Sequence, residues 1–119
     1  MNMERLEILL QSKVIQEDTH AFALHVIQFL EGEYQVNKEA MEMMITHLVM
    51  AMERIKRGEI AELMDDDVFN LVLEDIDFEK ARNIMLEISN QTEMEFPQSE
   101  EQYMLLHLCN SLKGEDLDA

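Results

Sequence analysis

The sequence predicts an all-α protein, a compact bundle of five helices, and three observations carry that prediction. Apolar residues recur at three- and four-residue spacing along most of the chain, the period of a helix with one buried face. Glycine and proline, the punctuation a hairpin-rich sheet requires, number only three and one in 119 residues. Hydrophobic residues make up 47% of the chain, ample for a shared core. The length is that of one domain able to bury a core without disulfide or metal staples.

The elements follow from local signals, in order. In the opening segment, "ERLEILLQSKVIQ", Leu6, Leu9, Leu10 and Val14 suit a helical turn while its end could equally be extended. An additional N-terminal helix is therefore expected but left open, and residues 1–16 are set apart as an N-terminal segment. Asp18 is a candidate cap for a helix to about Glu31, before Gly32, with Phe22, Val26, Phe29 and Leu30 as its apolar face. Asn37 can cap the next, which Gly58 terminates in the left-handed conformation after "ERIKR".

Asp65 opens a short helix, "DDVFNLVLED", with acids at its positive end. Asp77 precedes another, in which Phe78, Ala81, Met85 and Ile88 recur at core spacing. After Pro97, Ser99 and Gln102 form a capping-box pattern for the last helix, and Gly114 stops it. The helical domain is thus expected over 17–113, followed by a tail, 114–119.

Charge and cysteine content exclude several functions. Twenty-six acidic residues against nine basic ones give a formal charge of −17, which repels a phosphate backbone, so direct nucleic-acid binding is not expected. A single cysteine, Cys109, allows no intrachain disulfide, and no basic-then-apolar leader precedes Glu4; a cytoplasmic protein is expected. The most apolar run, "MMITHLVMAM", is about half the length a bilayer crossing needs. Three of the cations, Arg54, Lys56 and Arg57, cluster where a helix C-terminus favours positive charge.

No metal, cofactor or enzymatic activity is expected. His20 and His25 are five apart and diverge by about 140° on a helix. His107 and Cys109 face away from each other, and "DDDVFNLVLEDID" lacks the alternating ligands and glycine of a calcium loop. There is no glycine-rich phosphate cradle or nucleophile elbow, and an acid–base pair of His107 with Glu100 stands without a nucleophile.

Two histidines remain. The apolar stripe of the second capped helix is Met41, Met44, Ile45, Leu48, Ala51, Met52 and Ile55, which leaves His47 and Arg54 together on one border. In the last helix Met104, Leu105, Leu108 and Leu112 form the buried face, with His107 on the border. Glu100 and Tyr103 precede His107 along one stripe, so the imidazole is expected beneath a carboxylate and an aromatic ring. A neutral, reachable imidazole at such an edge can attack a phosphoryl group, and Arg54 is a partner for the charge it would acquire. On geometry alone the simpler reading is a boundary histidine hydrogen-bonded to backbone. Of eleven methionines, Met43 and Met50 project away from the stripe, a soft surface for another helix or a second copy unless a neighbouring helix covers them.

Two segments resemble the PTS regulation domain, or PRD, of bacterial sugar-operon antiterminators and activators. "THLVMAMERIKRGE" is similar to the family's HLxxAxxRxxxG region through His47, Leu48, Ala51, Arg54 and Gly58. "FPQSEEQYMLLHL" is similar to its LPxxExxYxxLHL region through Pro97, Glu100, Tyr103, Leu106, His107 and Leu108. Thr46 stands where many members carry an acid, Phe96 replaces the motif's leucine, and Glu101 and Gln102 replace apolar and small residues.

The resemblance implies a five-helix regulatory bundle in which His47 and His107 accept phosphoryl groups and Arg54, Glu100 and Tyr103 support them. The implied donors are the histidine-containing phosphocarrier protein or an enzyme II component of the sugar phosphotransferase system. It reverses the simpler reading of the histidines. A single stand-alone domain is expected, dimeric, acting on transcription through a partner regulator; the alternative is a helical interaction module with structural histidines and a Met43/Met50 surface.

Overall fold

The computed structural model describes residues 3–113, and these form six α-helices and no strand. They are α1 (Glu4–Gln11), α2 (Glu17–Glu33), α3 (Lys38–Lys56), α4 (Asp66–Leu73), α5 (Phe78–Ser89) and α6 (Gln98–Ser111). Five match the expected series and α1 is the additional N-terminal helix, so the five-helix count is corrected to six. The expected stop at Gly114 and the tail beyond it lie outside the described residues. None of the helices is long and apolar enough to cross a membrane.

Most capping signals act as local chemistry requires. The Asn37 side chain accepts from the Ala40 N–H at 3.0 Å, and Asp65 accepts from the Asp67 N–H at 2.9 Å. Gly58, at φ +77°, ends α3 in a Schellman arrangement: its N–H donates to the Ile55 carbonyl and that of Glu59 to the Arg54 carbonyl.

Two caps differ. Gln16, in extended conformation, is the cap of α2, and the Asp18 carboxylate instead accepts from Lys56 Nζ at 2.7 Å. Asp77 does precede α5, at its N-cap position, with its own N–H donating to the Asp75 carboxylate at 2.8 Å. Pro97 caps α6, which puts Ser99 inside the first turn with its hydroxyl buried and unpartnered among the described residues. Gln102 is then free to accept the Met64 N–H at 2.9 Å, tying the α3–α4 loop to α6.

Eight residues are too few for α1 to persist alone. It is held by burial of Leu6 and, past a left-handed turn at Lys13 (φ +63°), of Ile15. Each such side chain contributes roughly 1.5–3 kcal/mol when removed from water. The end of this segment turns back on α1, the Val14 and Ile15 N–H groups donating to the Leu9 carbonyl, and only Gln16 is extended; Ile15 rather than Val14 is inside.

α3 and α6 make the most extensive helix pair, with α2 on α3 and α5 on α6. The α3 stripe is buried from Met41 to Met52, Ile55 only partly, and the core also takes in Val49. Met104, Leu108 and Cys109 oppose it from α6. Borders of α3 and α6 that sequence places on separate helices are therefore brought face to face.

Candidate functional site

The C-terminal end of α3 and the length of α6 meet around one sealed carboxylate. Glu100, in the first turn of α6, has a side chain 0% exposed. Arg54 answers it with a fork: Nε donates to Oε2 at 3.1 Å and Nη2 to Oε1 at 3.0 Å. Such a two-point, charge-assisted pair fixes both planes and compensates the burial of the anion.

His47 lies two turns before Arg54 on the same border of α3 and reaches the same carboxylate, its Nε2 3.2 Å from Oε1. The approach is close without being an aligned hydrogen bond, since this buried nitrogen has no partner of good geometry. Its ring centroid is 5.7 Å from that of Tyr103 and 5.3 Å from that of His107, both on α6. The expected stripe along α6 therefore works across the helix interface: Glu100 and Tyr103 meet His47 of α3, and His107 meets the same ring from one further turn along.

Both imidazoles are held below the ordinary histidine range. For His47 burial is the main cause, the neighbouring His107 and Arg54 add to it, and the pull of Glu100 does not overcome them. For His107 burial alone accounts for the shift. With an unperturbed value of about 6.5, both rings are neutral at pH 7 and keep a nitrogen lone pair.

The pair is not sealed. His47 and His107 line a surface groove of about 400 Å³ with Arg54, Thr46, Met43, Met50 and Arg5. The His47 side chain is 18% exposed, and His107 is half-buried with no hydrogen bond to its ring nitrogens among the described residues. Met43 is exposed, while Met50 is half-buried against the core. The Thr46 hydroxyl donates to the Glu42 carbonyl at 2.9 Å and so does not orient His47.

The other histidines and the cysteine stand apart. His20 meets Glu7 at 3.2 Å between α1 and α2, His25 is exposed, and Cys109 is buried with its thiol pushed up to about 11 by burial, which leaves it unreactive. No group of three or more potential metal ligands occurs among the described residues.

The family model of the PRD domain matches residues 24–111, well over half of the chain. The chain belongs to the PRD family. No curated protein and no solved structure was found to match it. The matched span holds all of α3 and α6, so His47, Arg54, Glu100, Tyr103 and His107 are residues of the PRD itself, a regulatory rather than a catalytic domain. α1 lies outside it, and yet Arg5 of α1 reaches the PRD's histidine groove, its Nη1 3.3 Å from the Thr46 hydroxyl.

Sequence reasoning missed Arg5 and the cluster around Glu53. No periodic signal links Arg5 to a residue 41 positions away. Glu53 did leave a trace: it follows Met41, Ile45 and Val49 in four-residue steps and therefore points inward. It is 6% exposed and accepts from the Thr19 hydroxyl at 2.6 Å, the Gln16 N–H at 3.0 Å and Lys56 Nζ at 3.4 Å. The basic end of α3 thus has three separate jobs, since Arg54 serves Glu100, Lys56 serves α2 and Arg57 pairs with Glu59.

Proposed function

We propose that this PRD is a cytoplasmic signalling module that accepts phosphoryl groups on histidine from proteins of the sugar phosphotransferase system. One observation carries the reading: two neutral imidazoles with centroids 5.3 Å apart open on one groove, beside a guanidinium locked to a buried carboxylate. His107, with its nitrogens unengaged, is the first acceptor. His47, whose Nε2 faces Glu100, is the second.

In the transfer step a lone pair of the neutral ring nitrogen forms the new N–P bond while the P–N bond of the donor phosphohistidine breaks, its electron pair returning to the donor nitrogen. Donor and acceptor exchange the phosphoryl group and the imidazolium charge together, and no other reactant is consumed. Glu100 stands where it favours a cationic His47, and Arg54 keeps Glu100 in place. Tyr103 packs its ring beside that of His47.

The donor is the histidine-containing phosphocarrier protein or an enzyme II component, and Met43 and Met50 give it, or a second copy of the chain in a homodimer, an apolar landing beside the rings. About two added negative charges on a surface already at −17 alter how such copies pack. That repacking is the signal delivered to a transcriptional regulator.

A second reading has its own support: the buried His47 Nε2 suits a structural histidine in a helical interaction module. Incubation with phosphoenolpyruvate, enzyme I and the phosphocarrier separates the two. The proposal expects acid-labile phosphate that His107→Ala reduces most, His47→Ala reduces less, and the double variant abolishes. No incorporation from any cognate donor selects the structural reading.

A further inference from the structure

A dianion loaded into this groove needs a cation that is free to turn toward it. Arg54 can offer only its Nη1, and from a fixed position, because its Nε and Nη2 are committed to Glu100 and turning the guanidinium away would strand a carboxylate that no water reaches. The groove's other guanidinium is Arg5, whose side chain is exposed and whose hydrogen bond to the neutral Thr46 hydroxyl is single and, at 3.3 Å, long. Exchanging that bond for charge-assisted bonds to phosphoryl oxygens is favourable. Thr46, adjacent to His47, already parks the guanidinium at the groove's edge.

We infer that Arg5 is the phosphoryl-binding guanidinium of the groove and that α1, a helix outside the PRD match, clamps down when a histidine is loaded. The inference rests on the groove being a phosphoryl acceptor. It adds a regulatory element: α1 is short and held mainly by Leu6 and Ile15, so a new bond from Arg5 to the loaded ring strengthens its docking. By linkage, α1 docking favours the loaded state by the same factor. In a chain of −17 charge this compensation comes from within the molecule rather than from a partner.

The test loads the full chain chemically with phosphoramidate, which requires no protein donor, and confirms the modified ring by mass spectrometry. Two readouts follow, hydrogen exchange of α1 amides and the pH titration of the phosphoryl ³¹P resonance. Wild type and Lys13→Ala, which removes an equal charge beyond the end of α1, are expected to gain roughly three- to tenfold protection in α1 on loading. Arg5→Ala should gain none, and its phosphoryl group should titrate at higher pH; Arg5→Lys should fall between. The ³¹P titration reads the contact even where Arg5→Ala frays α1.

Identical titrations in wild type and Arg5→Ala, or no load on either His47 or His107, would overturn the inference. Failure of transfer from the protein donors alone sinks the proposed function and leaves the Arg5 result standing. A working relay with Arg5-independent behaviour sinks only the clamp.

Discussion

Two carboxylates are sealed against α3, Glu53 on its α2 side and Glu100 on its α6 side, 6% and 0% exposed. Both are answered by cations from the same short stretch at the helix end, Lys56 and Arg54. Around Glu53, the remaining partners are a hydroxyl and a main-chain N–H, groups whose charge does not change. Around Glu100 the remaining neighbour is an imidazole that opens on a groove and sits beside a second imidazole. One chemistry therefore makes a joint in one place and a responsive site in the other; the difference lies in whether a partner can titrate or be modified from solvent.

The largest expected effect breaks the Glu100 side. Arg54→Ala leaves a buried carboxylate uncompensated and should cost about 3–5 kcal/mol in urea unfolding. The double variant Arg54→Ala/Glu100→Leu should recover most of that loss, which a mere loss of packing by Arg54 would not allow. Glu53→Ala should cost less, roughly 1–3 kcal/mol, because the groups it strands are a hydroxyl, an amide N–H and a lysine that retains Asp18. Phosphate incorporation should be unaffected by Glu53→Ala in the folded protein, since the joint lies away from the groove.

Acid should separate the two regions. His47 and His107 have folded values below the unfolded one, so the unfolded chain binds more protons on these groups, and stability falls as pH drops below about 6.5. Glu53 is also lowered: burial pushes its carboxyl up, but the Thr19 and Gln16 hydrogen bonds and Lys56 outweigh it. Its contribution is present above the unfolded value of about 4.5 and is lost as pH falls further. A melting-temperature profile should therefore decline in two stages, and replacing both histidines by glutamine should remove the first alone. The smallest structural effect belongs to His107→Ala, expected within about 1 kcal/mol of wild type, although it removes the first phosphoryl acceptor.

Much of this was legible in the sequence where the physics is local. Asn37, Asp65 and Gly58 mark helix ends because caps act within a few residues, and the α3 stripe is readable because burial follows the helical period. The pairing of borders on α3 and α6 was legible only through the family's two motifs. Ser99 and Gln102 misled because their spacing fits a capping box, while Pro97 had taken the cap and Met64 claimed the glutamine. That Glu100 and Tyr103 serve the histidine of the other helix could not be read from one stripe. Arg5 was invisible because a contact across 41 residues leaves no pattern in a single chain.

Ring-resolved ¹H–¹⁵N NMR of the four imidazoles, recorded at pH 7 before and after treatment with the phosphorylated carrier protein, tests the central claim most directly. His47 and His107 are predicted to be neutral beforehand, and the His107 nitrogen resonances should move to phosphohistidine positions first, while those of His20 and His25 stay in place. Charged rings at pH 7, or a carrier that leaves both resonance sets unchanged, would contradict the account.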